Sequence, residues 1–175
     1  MTNIWIILGA LIVMIVSGCL SERIDVEPIS GTQGLVLNEK DLQQLGITSD
    51  GTDCQTEDYP TNEFSPLAQY SICNYAINSL NDTQVVLELQ KFTNFEDLNG
   101  TYQYSSLHLR GFQGLLSENE YGDMSRFYIN NESTVYYYHL WICKNEYLIH
   151  TTSKGSKEAG EYIEKIGRRI LSKFG

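Results

Sequence analysis

From Ile4 to Val16 the chain is continuously apolar, and no charged side chain occurs before Glu22. Such a run is stable in a bilayer rather than in water, so it constrains the placement of everything behind it. It ends in small residues, Ser17 and Gly18, directly before Cys19. An apolar core followed by small residues gives a membrane-embedded peptidase access to the backbone, so residues 1–18 read as a cleaved leader.

The tetrad Val16, Ser17, Gly18 and Cys19 resembles the lipobox of prokaryotic lipoproteins, with an aliphatic residue and two small ones before a cysteine. The resemblance implies that Met1 to Gly18 are removed and that Cys19 becomes the lipid-bearing first residue. The positive side chain that usually opens a leader is missing from Met1, Thr2 and Asn3. The alternative is therefore an uncleaved membrane helix over Ile4 to Leu20, whose 17 residues stand at the short end of what spans a bilayer. Both readings put the rest of the chain on the extracytoplasmic side of a cell membrane.

All 12 basic and all 22 acidic residues lie beyond Cys19, so the net charge of -10 belongs to the exported part. An acidic surface opposes phosphate binding, and nucleic acid is excluded as a partner. The expected partners are the membrane, through lipid or helix, and a protein or glycan at the cell surface. With 157 of 175 residues left after cleavage, one domain of ordinary size is expected. Residues 19–36 carry Pro28, Gly31 and Gly34 without helical or strand period and read as a flexible tether.

Behind the tether, residues 37–175 read as an α+β domain. Asn38 to Gly46 has a capping residue at one end and glycine at the other, which predicts a short helix. Ile47 to Pro66 is polar and reads as a loop with a little strand at its edges. Tyr70 to Ile77 and Thr83 to Phe92 predict a hairpin about Asn81 and Asp82, with Val85, Leu87 and Leu89 alternating with wetter positions. Thr93 and Glu96 have capping-box spacing, predicting a helix to about Arg110. Strands follow over 125–129, 134–144 and 147–153, with turns at Asn130-Asn131 and Asn145-Glu146. A last helix runs from Ser156 to Phe174 along the stripe Ile163, Ile166, Ile170 and Phe174. The resulting order, α-β-β-α-β-β-β-α with an antiparallel sheet of about five strands and flanking helices, resembles Mog1/PsbP-like sandwich domains. That resemblance implies a binding or accessory module.

With Cys19 lipidated, Cys54, Cys73 and Cys143 remain in a compartment that permits disulfides. Cys54 with Cys73 would staple the polar loop to the first strand, and Cys73 with Cys143 is the alternative. Sequons at Asn81, Asn99 and Asn131 are candidate glycosylation sites.

No cofactor motif and no metal-ligand spacing is present, and no catalytic residue is assigned. If Lys144 pairs with Tyr147, then His139, Trp141, Cys143 and His150 share one face, where a surface hydrolase with Cys143 as nucleophile can be drawn. Tyr70, Tyr75, Tyr136, Tyr137, Tyr138 and Trp141 suggest a third reading, a carbohydrate-binding module with a stacking surface.

Overall fold

The computed structural model describes residues 29–49, 54–60, 66–108, 114–132 and 134–175, with backbone alone at 48–49 and 131–132. The leader, Cys19 and most of the expected tether lie outside the described residues. The domain begins earlier than expected, however: Thr32–Leu35 forms a 3-10 turn, and Thr32 and Leu35 are fully buried. The hydroxyl of Thr32 bonds Ser71, and its backbone and hydroxyl both reach Gln69. Leu35 therefore enters the core, with Ile29 and Val36 packed against it, and Gly31 with φ 73° starts the turn.

Helices α1 (Glu39–Leu45), α2 (Phe95–Leu107) and α3 (Ala159–Leu171) flank one antiparallel sheet. Among the described residues the sheet has eight strands rather than about five: β1 (Ile47–Ser49), β2 (Gln55–Asp58), β3 (Leu67–Ile77), β4 (Gln84–Phe92), β5 (Gly114–Glu118), β6 (Met124–Glu132), β7 (Val135–Lys144) and β8 (Tyr147–Gly155). They lie in the order β1-β3-β4-β8-β7-β6-β5, and β2 shares the outer edge of β3 with β1, so the sheet is seven strands wide. The element order is α-β-β-β-β-α-β-β-β-β-α, which corrects the expected one. The added strands are all marginal: β1 and β2 each pair with only part of β3, and β5 is an edge strand with an irregular register at Leu115.

Side-chain parity splits the sheet into two faces. On the first, Val85, Leu87, Leu89, Leu140, Ile142 and Ile149 are buried under Ile163, Ile166 and Ile170 of α3. Phe174, expected in the same stripe, lies in a 3-10 turn and is only half-buried. Close approach of α3 depends on Gly167, where a Cβ would come within 2.9 Å of Leu140 Cδ2 and 3.0 Å of Ile142 Cδ1.

Asp41 binds α1 to α3. It completes a capping box with Asn38, and its carboxylate accepts Arg169 Nε at 2.7 Å and Lys173 Nζ at 3.3 Å. Burial opposes its charge, but the bonds from Arg169, the Asn38 N–H and Lys173 prevail, and its carboxyl titrates below the usual range. The basic residues that complement the helix dipole thus also neutralise a buried acid.

Among the described residues, the second face is covered in part, by α2. Phe92, Trp141, Cys143 and Leu148 are buried beneath Leu98 and Tyr102 of α2. The helix is capped by Asn94, whose side chain accepts the Asp97 N–H at 2.9 Å, so the cap falls one residue later than the Thr93–Glu96 spacing predicted. Its regular part ends at Leu107 rather than Arg110. From β6, Arg126 reaches up to hold it, donating to Gln103 Oε1 at 2.9 Å and Ser106 Oγ at 2.6 Å.

Candidate functional site

The open part of the second face lies beside α2, and its chemistry is set by register. Lys144 pairs with Tyr147 across the two-residue turn, with Asn145 in the left-handed conformation that asparagine tolerates. His150 therefore stands opposite Trp141, and His139 opposite Thr152, one step along the same face. From the other side β4 places Glu88 opposite His150, and β3 contributes Tyr70. Alternation puts the β7 and β8 groups on one face, and the pairing of β4 with β8 brings Glu88 to them.

They form one connected chain. Tyr70 donates its hydroxyl to Glu88 Oε1 at 2.6 Å, His150 Nδ1 stands 2.7 Å from Glu88 Oε2, and His150 Nε2 stands 3.2 Å from His139 Nδ1. The imidazole planes differ by 20° and their centroids are 5.4 Å apart. That separation exceeds the nitrogen-to-nitrogen distance by about two centre-to-nitrogen radii, so both nitrogens lie on the line joining the rings. The imidazoles abut edge to edge in a linear hydrogen bond. Lone pairs aimed at one another do not converge on a third point, so this pair is not arranged to chelate a metal. Among the described residues, no group of three His, Cys, Asp or Glu side chains could hold a metal ion.

Trp141 is 2% exposed and its indole lies nearly parallel to both imidazoles, 4.4 Å from His150 and 5.2 Å from His139 between centroids. It thus forms an apolar shelf under the polar chain. Desolvation, then the neighbouring His150, hold His139 neutral and lower its pKa to about 3, against the opposing pull of Glu88. The bond from His150 holds Glu88 below the usual carboxylate range, with Tyr70 adding to it and burial opposing. Tyr70 is pushed upward by burial and by its carboxylate partner and stays a neutral donor.

The hydrolase arrangement does not assemble. Cys143 shares this face, but it is 1% exposed beneath α2, and burial pushes its thiol up to about 12. A nucleophilic cysteine needs the opposite, an accessible and stabilised thiolate. Relative to its ordinary value of 9.0, a pKa near 12 lowers the thiolate fraction at neutral pH by roughly a thousandfold. In the native protein Cys143 is expected to resist a thiol reagent at pH 7.5 and to react only after denaturation, a difference that mass spectrometry reads directly. Labelling of Cys143 at equal rates in both states would remove this account.

The expected aromatic surface is divided as well. Tyr75 and Tyr138 are buried on the α3 face, Tyr136 stacks beside Tyr138, and Trp141 is buried beneath the imidazoles. Of the expected tyrosines, Tyr70 and Tyr137 are half-buried on the second face, Tyr128 of β6 is half-buried there as well, and Lys154 lies over the Tyr137 ring at 5.9 Å. Tyr136, Tyr137 and Tyr138 are therefore split between the two faces, because successive residues of one strand point to opposite sides.

Cys54 and Cys73 are joined in a disulfide, and Cys143 is free. Asn81 is exposed in the turn between β3 and β4, whereas Asn99 lies within α2. Asn131 lies within β6, because the ladder continues through Asn130 with Tyr137 and Asn131 with Tyr136, displacing the expected turn. The sequence reading passed over Glu88 and Tyr70 as partners of the histidines. Glu88 stands at one of the wetter positions of β4, where an acid is ordinary, so the sequence carried no signal for this pairing.

A separate depression of about 1230 Å³ opens where the β3–β4 turn meets the end of β8, lined by Asn78, Asp82, Thr83, Gln84, Lys154 and Ser156. It lies at the opposite end of the sheet from the α2 cluster.

No known family model matches the sequence, and no curated protein resembles it. Among solved structures, the chain is similar to the extracellular domain of PknH from Mycobacterium tuberculosis, with 10% identity and a TM-score of 0.49 over 83% of this chain and 98% of that one. It is also similar to LpqN of Mycobacterium tuberculosis, a protein involved in cell envelope biogenesis, with 15% identity and a TM-score of 0.34 over 72% of this chain and 80% of that one. These overlaps are too loose to carry an argument about what this chain does.

Proposed function

We propose that this chain is a membrane-anchored extracytoplasmic module that binds a protein or glycan partner or assists another envelope component, rather than a surface hydrolase. The observation that carries the binding part is the half-covered second face of the sheet. There Tyr70, Glu88, Tyr137, His150 and Thr152 are partly accessible, while the thiol of Cys143 is sealed under α2. A face that joins aromatic edges to fixed polar groups suits recognition, and no activated nucleophile stands among these residues. The anchor rests on the charge-free run and on Val16, Ser17, Gly18 and Cys19. On this reading Met1 to Gly18 are lost and Cys19 carries lipid, with residues after it spacing the domain from the headgroups.

Fractionation with lipid labelling tests the anchor. The wild-type chain is expected in the membrane fraction with label on Cys19 and open to protease added outside intact cells, and Cys19→Ser is expected to lose the label. Full-length protein in the cytosol with its leader intact overturns the reading.

A further inference from the structure

We propose that the depression beside the β3–β4 turn is a saccharide site, where the far end of the second face receives a neutral oligosaccharide. One register row carries the argument. Ala76 pairs with Gln84, Gln84 with Lys154, and Lys154 with Tyr137, so β3, β4, β8 and β7 present these side chains side by side. Parity puts the row on the same face as Glu88 and His150, about 13 Å further along β4 and β8. Its three strand gaps make it about 14 Å wide. Ala76, Gln84 and Lys154 line the depression, and Tyr137 stands beside it with Lys154 over its ring.

The wall of the depression is built before any ligand arrives. The turn closes on itself, Leu80 N–H donating to Ile77 O at 3.0 Å and Thr83 N–H to Leu80 O at 3.2 Å. Ser79 Oγ stands 2.8 Å from the Tyr162 hydroxyl of α3, and Thr83 Oγ1 accepts the Ser156 N–H at 3.1 Å. Gly155, at φ 147°, lets β8 run against this turn, since a Cβ there would lie 2.6 Å from Thr83 Oγ1 and 2.8 Å from Asp82 O. A preformed wall spares a ligand the cost of ordering it.

The lining selects the ligand. Its charged groups among the described residues are a single carboxylate, Asp82, and a single ammonium, Lys154, so it neither gathers phosphates nor encloses a hard cation. Leu80, Val135 and the buried Ile77 are too little apolar surface for an acyl chain. Asn81, Asp82 and Gln84 are exposed and supply amide donors, amide acceptors and carboxylate oxygens. A sugar hydroxyl donates and accepts at once and matches such a set, while the C–H face of its ring can lie on Tyr137. The volume of about 1230 Å³ exceeds the roughly 300 to 1,000 Å³ of small-ligand pockets, which suits an oligosaccharide rather than a single sugar.

The inference rests on the reading of the second face as a recognition surface and gives that surface a ligand class. Tyr147, whose hydroxyl donates to Ile29 O where the chain enters the domain, stands at the other end of β8, about 26 Å from Gly155. The depression thus lies at the end of the sheet away from the anchor.

Amide chemical-shift mapping of the isotope-labelled full-length chain in dodecylphosphocholine micelles, a detergent without sugar, tests it with maltohexaose, cellohexaose and chitohexaose as probes. With at least one probe the signals of Asn81 to Gln84, Lys154 to Ser156 and Tyr137 are expected to move, and Gln84→Ala and Tyr137→Ala each weaken binding by about tenfold or more. No movement with any probe, movement confined to Tyr70, Glu88 and His150, or unchanged affinity in either variant overturns the proposal. The first outcome leaves the face open to a protein partner and the second moves the sugar along it, so neither counts against recognition by this face. A glycan mapped to Asn81 in the chain from its native cells also overturns the proposal, because it would fill the opening. The wild-type map decides the site even if a variant does not fold.

Discussion

Replacing Trp141 with alanine is expected to lower the free energy of unfolding by about 3 to 5 kcal/mol, the range for deleting a large buried aromatic side chain. The indole is 2% exposed, packs among Leu98, Tyr102, Cys143 and Leu148, and forms the shelf beneath both imidazoles. Its loss removes dispersion contacts on two sides and opens a gap that the surrounding strands cannot close, since β7 is held in the ladder by both neighbours. Trp141→Phe keeps a flat ring and is expected to recover part of the loss. Denaturant unfolding of the two variants checks both statements, and a loss under 1 kcal/mol for Trp141→Ala would mean that the second core does not hold α2 in place.

Lowering the pH from 7 to 5 is expected to weaken the fold by about 2 kcal/mol through His139, at about 1.4 kcal/mol per pH unit. The sign follows from the depressed pKa. The folded imidazole stays neutral down to about 3, whereas its ordinary value is 6.5, so between those limits the unfolded chain binds a proton that the folded chain refuses. The contribution is complete above 6.5 and drains away as pH falls below it. Glu88, also depressed, adds a second loss at lower pH, beginning near its ordinary 4.5 and continuing as pH falls through its folded value. In His139→Gln the decline between pH 7 and 5 is expected to be largely absent, read from urea midpoints at each pH. An equal decline in wild type and variant would assign the effect elsewhere.

The imidazole pair also indicates how far a sequence can be read. That His139, Trp141, Cys143 and His150 share a face follows from period-two alternation and a two-residue asparagine turn, both local properties. That Cys143 is useless as a nucleophile is not local, since its burial comes from α2, which enters the sheet about 40 residues earlier in the chain. Glu88 reaches His150 only because β8 returns beside β4, a pairing across 62 positions. The edge strands escaped for a related reason. Gln55–Asp58 is polar throughout, and its strand conformation is imposed by the free edge of β3.

The sequence by itself determined the elements that depend on near neighbours: the capped helix after Asn38, the β3–β4 and β7–β8 hairpins, and the isoleucine stripe of α3. Tertiary structure decided the width of the sheet, the sealing of the free thiol and the joining of Tyr70, Glu88, His150 and His139 into one hydrogen-bonded chain. The reason is physical: periodicity and capping are fixed by neighbours a few residues apart, while desolvation and the partner of a buried polar group are fixed by whichever distant strand or helix comes to lie against it.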